Sequence, residues 1–192
     1  MAEPAKRCAT YADLEAVSPL LVAELIGGDL VTHRLPAPIN AAAATALSSM
    51  LTGPYQKAEP ASGRWIFMNK PEVHLGADVI VPDLAGWRRE RLPTLPETAF
   101  MEIPPDWVCE VLSPATERFD RGPKRRIYAN AGVSHLWLLD PRIRLLEVFV
   151  LEAGEWKLAA TAEGSEAVSA PPFDAISFSL GLLWPFDQPE GA

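Results

Sequence analysis

The apolar positions of this chain fall into short runs of differing period, and the period assigns each run to a helix or a strand. Thr10 followed by Asp13 predicts a helix start and a short amphipathic turn to Val17. VAELI, Gly27-Gly28 and DLVTH predict two short strands joined by a two-residue turn, with a helix over LLVAELI as the competing reading. INAAAATALSSML is rich in alanine and ends at Gly53-Pro54, which predicts a helix that stops there. RWIFMN and VHL, on either side of Pro71, predict a bent or edge strand.

Three apolar runs follow: VIVPDLAGW, WVCEVLS and HLWLLD. Their length and their β-branched and aromatic content predict central strands buried on both faces. The segment between the first two, RRERLPTLPETAFMEIPPD, contains four prolines and predicts a loop. Between the second and third, PKRRIYANAG predicts a short helix, with Pro123 in its first turn and Gly132 as its stop. Strand, helix, strand at this spacing is a βαβ unit, so WVCEVLS and HLWLLD are expected to be parallel. LLEVFVLE and EWKLAAT, joined through Ala153-Gly154, predict a hairpin, and ISFSLGLLW a last short strand or helix. The expectation is one α/β domain over residues 1–184 and a loose polar tail over 185–192.

Composition narrows the class. The 192 residues suit one domain with a real core, and 48% apolar with 22% charged is ordinary for a globular protein. No apolar run is long enough to span a membrane, and the N-terminus does not read as a secretory signal, so a cytoplasmic protein is expected. Cys8 and Cys109 are far apart and form no zinc spacing; Cys109, in an apolar run, is expected to be a buried inert thiol. The net charge of −8 excludes a general basic field for nucleic acid, but not a local basic patch.

Two carboxylates stand out against this background. Glu110 sits in the middle of WVCEVLS, where an unpaired charge is expensive. Asp83 follows Val79, Ile80, Val81 and Pro82. Carboxylates on neighbouring strand ends would make a hard oxygen site suited to magnesium. Lys124, Tyr128 and Ala131 fall at i, i+4 and i+7, so Lys124 is expected to point inward near Glu110, at the positive end of its helix. Each residue also has a plainer reading: Asp83 as a turn residue, Glu110 as an ion-pair partner of Arg118, Arg121 or Lys124, and Lys124 as a surface lysine. Arg118, Arg121, Lys124, Arg125 and Arg126 form one basic cluster, and Arg88, Arg89 and Arg91 a second; each fits phosphate contact or a solvated face equally. His33, His74 and His135 share no spacing, and the chain has no GxSxG elbow, P-loop or GxGxxG. Trp107 and Trp137 are expected in the core; Trp65, Trp87, Trp156 and Trp184 fit core or interface.

Four stretches carry a family resemblance: AELIGGDLV (23–31), VIVPDLAGW (79–87), VCEVLSPATERFDRGPK (108–124) and IYANAGVSHLWLLDP (127–141). In this order and spacing the chain resembles the Uma family of restriction-endonuclease-like proteins, a branch of the PD-(D/E)XK nuclease superfamily. The resemblance implies a central mixed β-sheet flanked by helices, with additional β-hairpins. It implies that Asp83 and Glu110 are the metal-binding acids, that Lys124 is the catalytic lysine, and that Glu24 is an upstream acid supporting the metal or a water. The lysine more commonly lies two residues after the acid; that place is Leu112, and the role moves 14 residues downstream of Glu110. Ala23, Gly27, Asp29 and Asn40 depart from the family pattern, Asn40 falling near a position often held by histidine. The implied activity is a magnesium- or manganese-dependent endonuclease acting on phosphodiester bonds, in DNA, and a homodimer would suit cleavage of both strands. Two alternatives remain open: a nuclease-like fold that serves as a binding or assembly module, and an enzyme acting on a small phosphorylated substrate.

Overall fold

The computed structural model describes residues 7–57 and 64–184; the segment 185–192, expected to be a loose tail, lies outside the described residues. The chain opens with α1 (Tyr11–Glu15), started by a capping box in which the Thr10 side chain accepts from the Asp13 N–H and the Asp13 side chain accepts from the Thr10 N–H. The hairpin reading of the next stretch is correct and the helix over LLVAELI is not. Strands β1 (Leu21–Ile26) and β2 (Asp29–Arg34) pair antiparallel, with Glu24 opposite Val31. Gly27 and Gly28 make the turn with φ of +60° and +84°, the left-handed pair that a two-residue turn between twisted strands requires.

Helix α2 (Pro38–Leu51) forms as expected but does not stop at Gly53-Pro54. A wider π-type turn over Thr52–Lys57 carries the coil on. Packing favours that continuation, because it buries Tyr55 against Phe173 with ring centroids 4.9 Å apart. RWIFMN and VHL are not one bent strand. They are β3 (Trp65–Asn69) and β4 (Val73–Leu75), each at the edge of a different sheet. VIVPDLAGW also splits, into β5 (Asp78–Ile80) and β6 (Leu84–Arg88). The break has a local cause: Pro82 has no N–H to offer a ladder, and the N–H of Val81 is taken by the Glu24 carboxylate at 2.9 Å.

The remaining elements are β7 (Trp107–Val111), a single helical turn α3 (Glu117–Asp120), α4 (Pro123–Asn130), β8 (His135–Asp140), the hairpin β9 (Leu145–Glu152) and β10 (Glu155–Glu163), and the short β11 (Ala167–Val168) and β12 (Phe178–Ser179). A 3₁₀ turn over Leu180–Leu183 follows, so ISFSLGLLW is both strand and helical turn.

The central sheet has six strands in the order β10-β9-β8-β7-β6-β3. Only β7 and β8 are parallel within it, as the βαβ reading requires, so the sheet is mixed. A second, antiparallel sheet has the order β2-β1-β5-β4.

Alternation along β7 explains both layers of the core. Trp107, Cys109 and Val111 face α2 and the C-terminal segment. There Phe173 touches the rings of Tyr55, Trp65, Phe67, Trp107 and Trp137 at 4.9–5.7 Å between centroids. Val108 faces the opposite layer, built from α4, the second sheet and the loop after β6. Trp65 and Trp87 join Trp107 and Trp137 as fully buried side chains. Cys109 is a buried free thiol, and burial pushes its pKa well above the ordinary value. Glu110 belongs to the second layer by the same alternation, so its carboxylate points at α4.

Candidate functional site

The β6–β7 ladder positions the two acids. Leu84 is paired with Cys109, and continuing that antiparallel register sets Asp83 across from Glu110. The Val111 N–H donates to Asp83 Oδ2 at 2.8 Å, which fixes the side chain against the end of β7. Lys70 Nζ donates to Asp83 Oδ1 at 2.7 Å.

Lys124 is the second residue of α4, in the first turn of the helix behind this strand, and is 2% exposed. Its ammonium reaches Glu24 at 2.8 Å, Asp120 at 3.2 Å and Glu110 at 3.3 Å. Tyr128, one turn further along α4, donates its hydroxyl to the same Glu110 oxygen. Three of the four sequence-predicted residues, Glu24, Glu110 and Lys124, are thus in direct contact. Asp83 stands beside them on the neighbouring strand end, held by Lys70.

The charges in this dry cluster do not balance. Glu24, Glu110 and Asp120 are all 1–2% exposed and share one ammonium. Burial alone would raise the Glu24 carboxyl, but Lys124, His33 and the Val81 N–H together hold it below its ordinary value. The other two acids are left short of positive charge. Burial, opposed by Lys124 but reinforced by Asp120, Asp83 and Glu24, pushes Glu110 up to about 8. Burial likewise raises Asp120 despite Lys124. Lys124 itself would be lowered by burial, yet Glu110, Glu24 and Asp120 hold it well above its ordinary value, so the ammonium is kept charged.

The sequence does not single out three of the participants. Asp120 could have been found, because it lies one helical turn before Lys124. His33, with Nε2 3.6 Å from Glu24 Oε2, follows from the hairpin register: it sits two residues beyond Val31, the partner of Glu24, and so shares its face. Its pKa is raised, first by the hydrogen bond to Glu24 and against the effect of burial. Lys70 leaves no signal in the local pattern. Asn40 is buried and donates from Nδ2 to Leu112 O at 2.8 Å, tying the start of α2 to the end of β7.

A cleft of about 1340 Å³ opens beside the cluster. Asp83, Lys70, His33 and Asn40 line it, as do the cations Arg7, Arg34, Arg118 and Arg126. The basic clusters therefore separate by role. Arg126 and Arg118, the latter over the Phe119 ring at 4.5 Å, line the cleft, whereas Arg121, committed to Glu117 and Glu147, and Arg125, over Phe149 at 4.3 Å, do not. In the second cluster, Arg88 lies over Trp65 at 4.8 Å and Arg91 pairs with Asp106 at 2.6 Å. Neither lines the cleft.

Among the described residues, no group of three or more His, Cys, Asp or Glu side chains is placed to hold a metal ion by itself. What the site offers is two carboxylates that the β6–β7 register places on adjacent strands, Asp83 and Glu110, in a region with more acid than base. That donor set fits magnesium or manganese, which take one or two carboxylates and complete their shell with water and phosphate oxygens.

The comparisons with known proteins agree with this architecture. A family model described as "Uma2: Putative restriction endonuclease" matches residues 8–182. The chain belongs to the Uma2 family. Among solved structures, a crystal structure titled as "a putative nuclease belonging to DUF820 from Anabaena variabilis ATCC 29413" superposes with a TM-score of 0.70 at 19% identity. The match covers 92% of this chain and 98% of that one. It shows that this Uma2 chain has the fold of that protein, a mixed sheet flanked by helices with smaller antiparallel sheets. Among curated proteins nothing matches the chain. No helix among the described residues is long and apolar enough to cross a membrane.

Proposed function

We propose that this Uma2 protein is a divalent-metal-dependent endonuclease that hydrolyses phosphodiester bonds in DNA. One observation carries the reading: a fully buried lysine holds three carboxylates together at the side of a cleft whose wall carries both Asp83 and a set of arginines. Membership of a family whose model is described as "Putative restriction endonuclease" supports it.

Asp83 and Glu110 would hold the cation through their carboxylate oxygens. A bound magnesium or manganese ion would supply Lewis-acid polarisation of the phosphate and activation of water. Arg118 and Arg126 hold the sugar-phosphate backbone in the cleft without reading sequence. Glu24 is a positioning residue: it grips Lys124 and, through Val81, the chain just before Asp83. Lys124 neutralises the acids. With a cation held by Glu110, Lys124 would have a donor to direct at the attacking water or at charge developing on the phosphate. In the reaction water adds to phosphorus and gives up a proton, one P–O ester bond breaks, and the leaving oxygen takes up a proton, so that the water's atoms are divided between the two products.

The test is a low-salt cleavage assay on plasmid, linear and single-stranded DNA with magnesium or manganese, comparing wild type with Asp83→Asn and Glu110→Gln. We expect cleavage by wild type and a loss of about a hundredfold or more in each variant, the scale for removing one group that stabilises a transition state. Equal cleavage by wild type and Glu110→Gln would show that the site is misplaced. No cleavage by wild type on any DNA with either metal would turn the assignment towards a nuclease-like binding module or an enzyme for a small phosphorylated substrate.

A further inference from the structure

Lys70 occupies the short link between β3 and β4, where the chain leaves one sheet for the other. Its backbone has φ of +49°, in the left-handed region that lysine seldom adopts. Two bonds hold it there: its N–H donates to the Asp83 carbonyl at 3.1 Å, and its ammonium donates to Asp83 Oδ1 at 2.7 Å. Backbone and side chain of one residue thus grip backbone and side chain of the other. The pair is partly open, with side-chain exposures of 32% for Lys70 and 17% for Asp83, and both residues line the cleft.

This arrangement differs from that of Lys124. The buried ammonium of Lys124 is shared among three acids, and withdrawing it would strand them. Lys70 touches one carboxylate at a surface where water can replace it. Partly open ion pairs of that kind are weak, so a divalent cation with a second carboxylate to hand would compete with the lysine for Asp83. The freed ammonium, on a flexible stem with three donors, would remain beside Asp83 and open onto the cleft.

We propose that Lys70 is an exchangeable cation of this site: it covers the Asp83 carboxylate when no metal is bound, and moves to the substrate phosphate when the metal takes its place. The inference rests on the reading of Asp83 as a metal ligand. It adds a residue with two opposed effects, competition with the metal and attraction of the phosphodiester. A residue that merely shapes the turn would have only one.

The experiment measures manganese binding by calorimetry and DNA cleavage at saturating manganese for wild type, Lys70→Met and Lys70→Arg. In Lys70→Met, manganese should bind about two- to fivefold more tightly, as the weak competing pair is removed. Cleavage should nevertheless fall roughly ten- to a hundredfold, the scale of one hydrogen bond to a charged group. Lys70→Arg should return both towards wild type. Weaker or unchanged manganese binding in Lys70→Met, with wild type binding normally, overturns the exchange and leaves the metal reading of Asp83 standing. Unchanged cleavage by Lys70→Met overturns the phosphate contact. If neither wild type nor Lys70→Met binds manganese, the metal site and the exchange fall together.

Discussion

Glu110 presents its carboxyl to α4, where Lys124 and Tyr128 both meet it, in an apolar layer that includes Val108, Leu112, Ile127 and Leu138. Burial pushes its pKa to about 8 from an ordinary value near 4.5. The sign of the resulting pH dependence follows. Folded protein keeps a proton that unfolded chain releases, so the contribution to stability is fully present below about pH 4.5 and is lost as pH rises through about 8. The raised Asp120 acts in the same direction. Thermal unfolding from pH 5 to 9 should therefore show wild type losing stability on the order of a few kcal/mol. Glu110→Gln, which carries no titrating group, should lose clearly less. Equal slopes for the two proteins would mean that Glu110 is ionised throughout and that Lys124 alone satisfies it.

At the scale of elements, Gly122 sets the join between α3 and α4. A Cβ built there would lie 2.7 Å from the carbonyl oxygen of Arg118, a contact that no side-chain rotation relieves. Gly122→Ala must push the two helical turns apart and carry Lys124 away from Asp120 and Glu110. We expect a loss of about 1–3 kcal/mol in chemical denaturation, with cleavage reduced in protein that remains folded. An alanine variant of wild-type stability and activity would show that the join is not what places Lys124. The same elements show what was legible beforehand. The β1–β2 hairpin, α4 and the parallel β7–β8 pair follow from period and turn residues, all local signals. VIVPDLAGW defeats that reading, because one apolar run serves two sheets and only Pro82 and the distant Glu24 mark the crossing. The site divides in the same way. A carboxylate amid apolar neighbours exposes Glu110, and helix spacing turns Lys124 inward towards it. Lys70 meets Asp83 only through a left-handed turn between strands of different sheets, which no local pattern announces.

For the molecule as a whole, a charge of −8 opposes the approach of DNA, yet the cleft wall carries Arg7, Arg34, Lys70, Arg118 and Arg126 against Asp29 and Asp83. Arg7 is partly spent on Asp13, at 3.0 Å. Distance decides between the two effects. At 0.1 M salt the screening length is about 10 Å, so acids on the far faces are damped while cations in the cleft act on a phosphate at contact range. Binding should then depend on salt through the few phosphates the cleft neutralises, each contributing about 0.9 to the slope of log affinity against log salt concentration. Arg118 and Arg126 lie on neighbouring turns of α3 and α4 and are both exposed. Replacing both with alanine should lower that slope by about 1.8 and weaken binding alike for unrelated sequences, since backbone contacts carry no sequence information. Fluorescence anisotropy with two unrelated labelled duplexes across a salt series, without metal so that the DNA stays intact, reads both effects. An unchanged slope would place the DNA on another face, and Arg121, held between Glu117 and Glu147, would then be the control to examine: its loss should disturb stability and leave the slope alone.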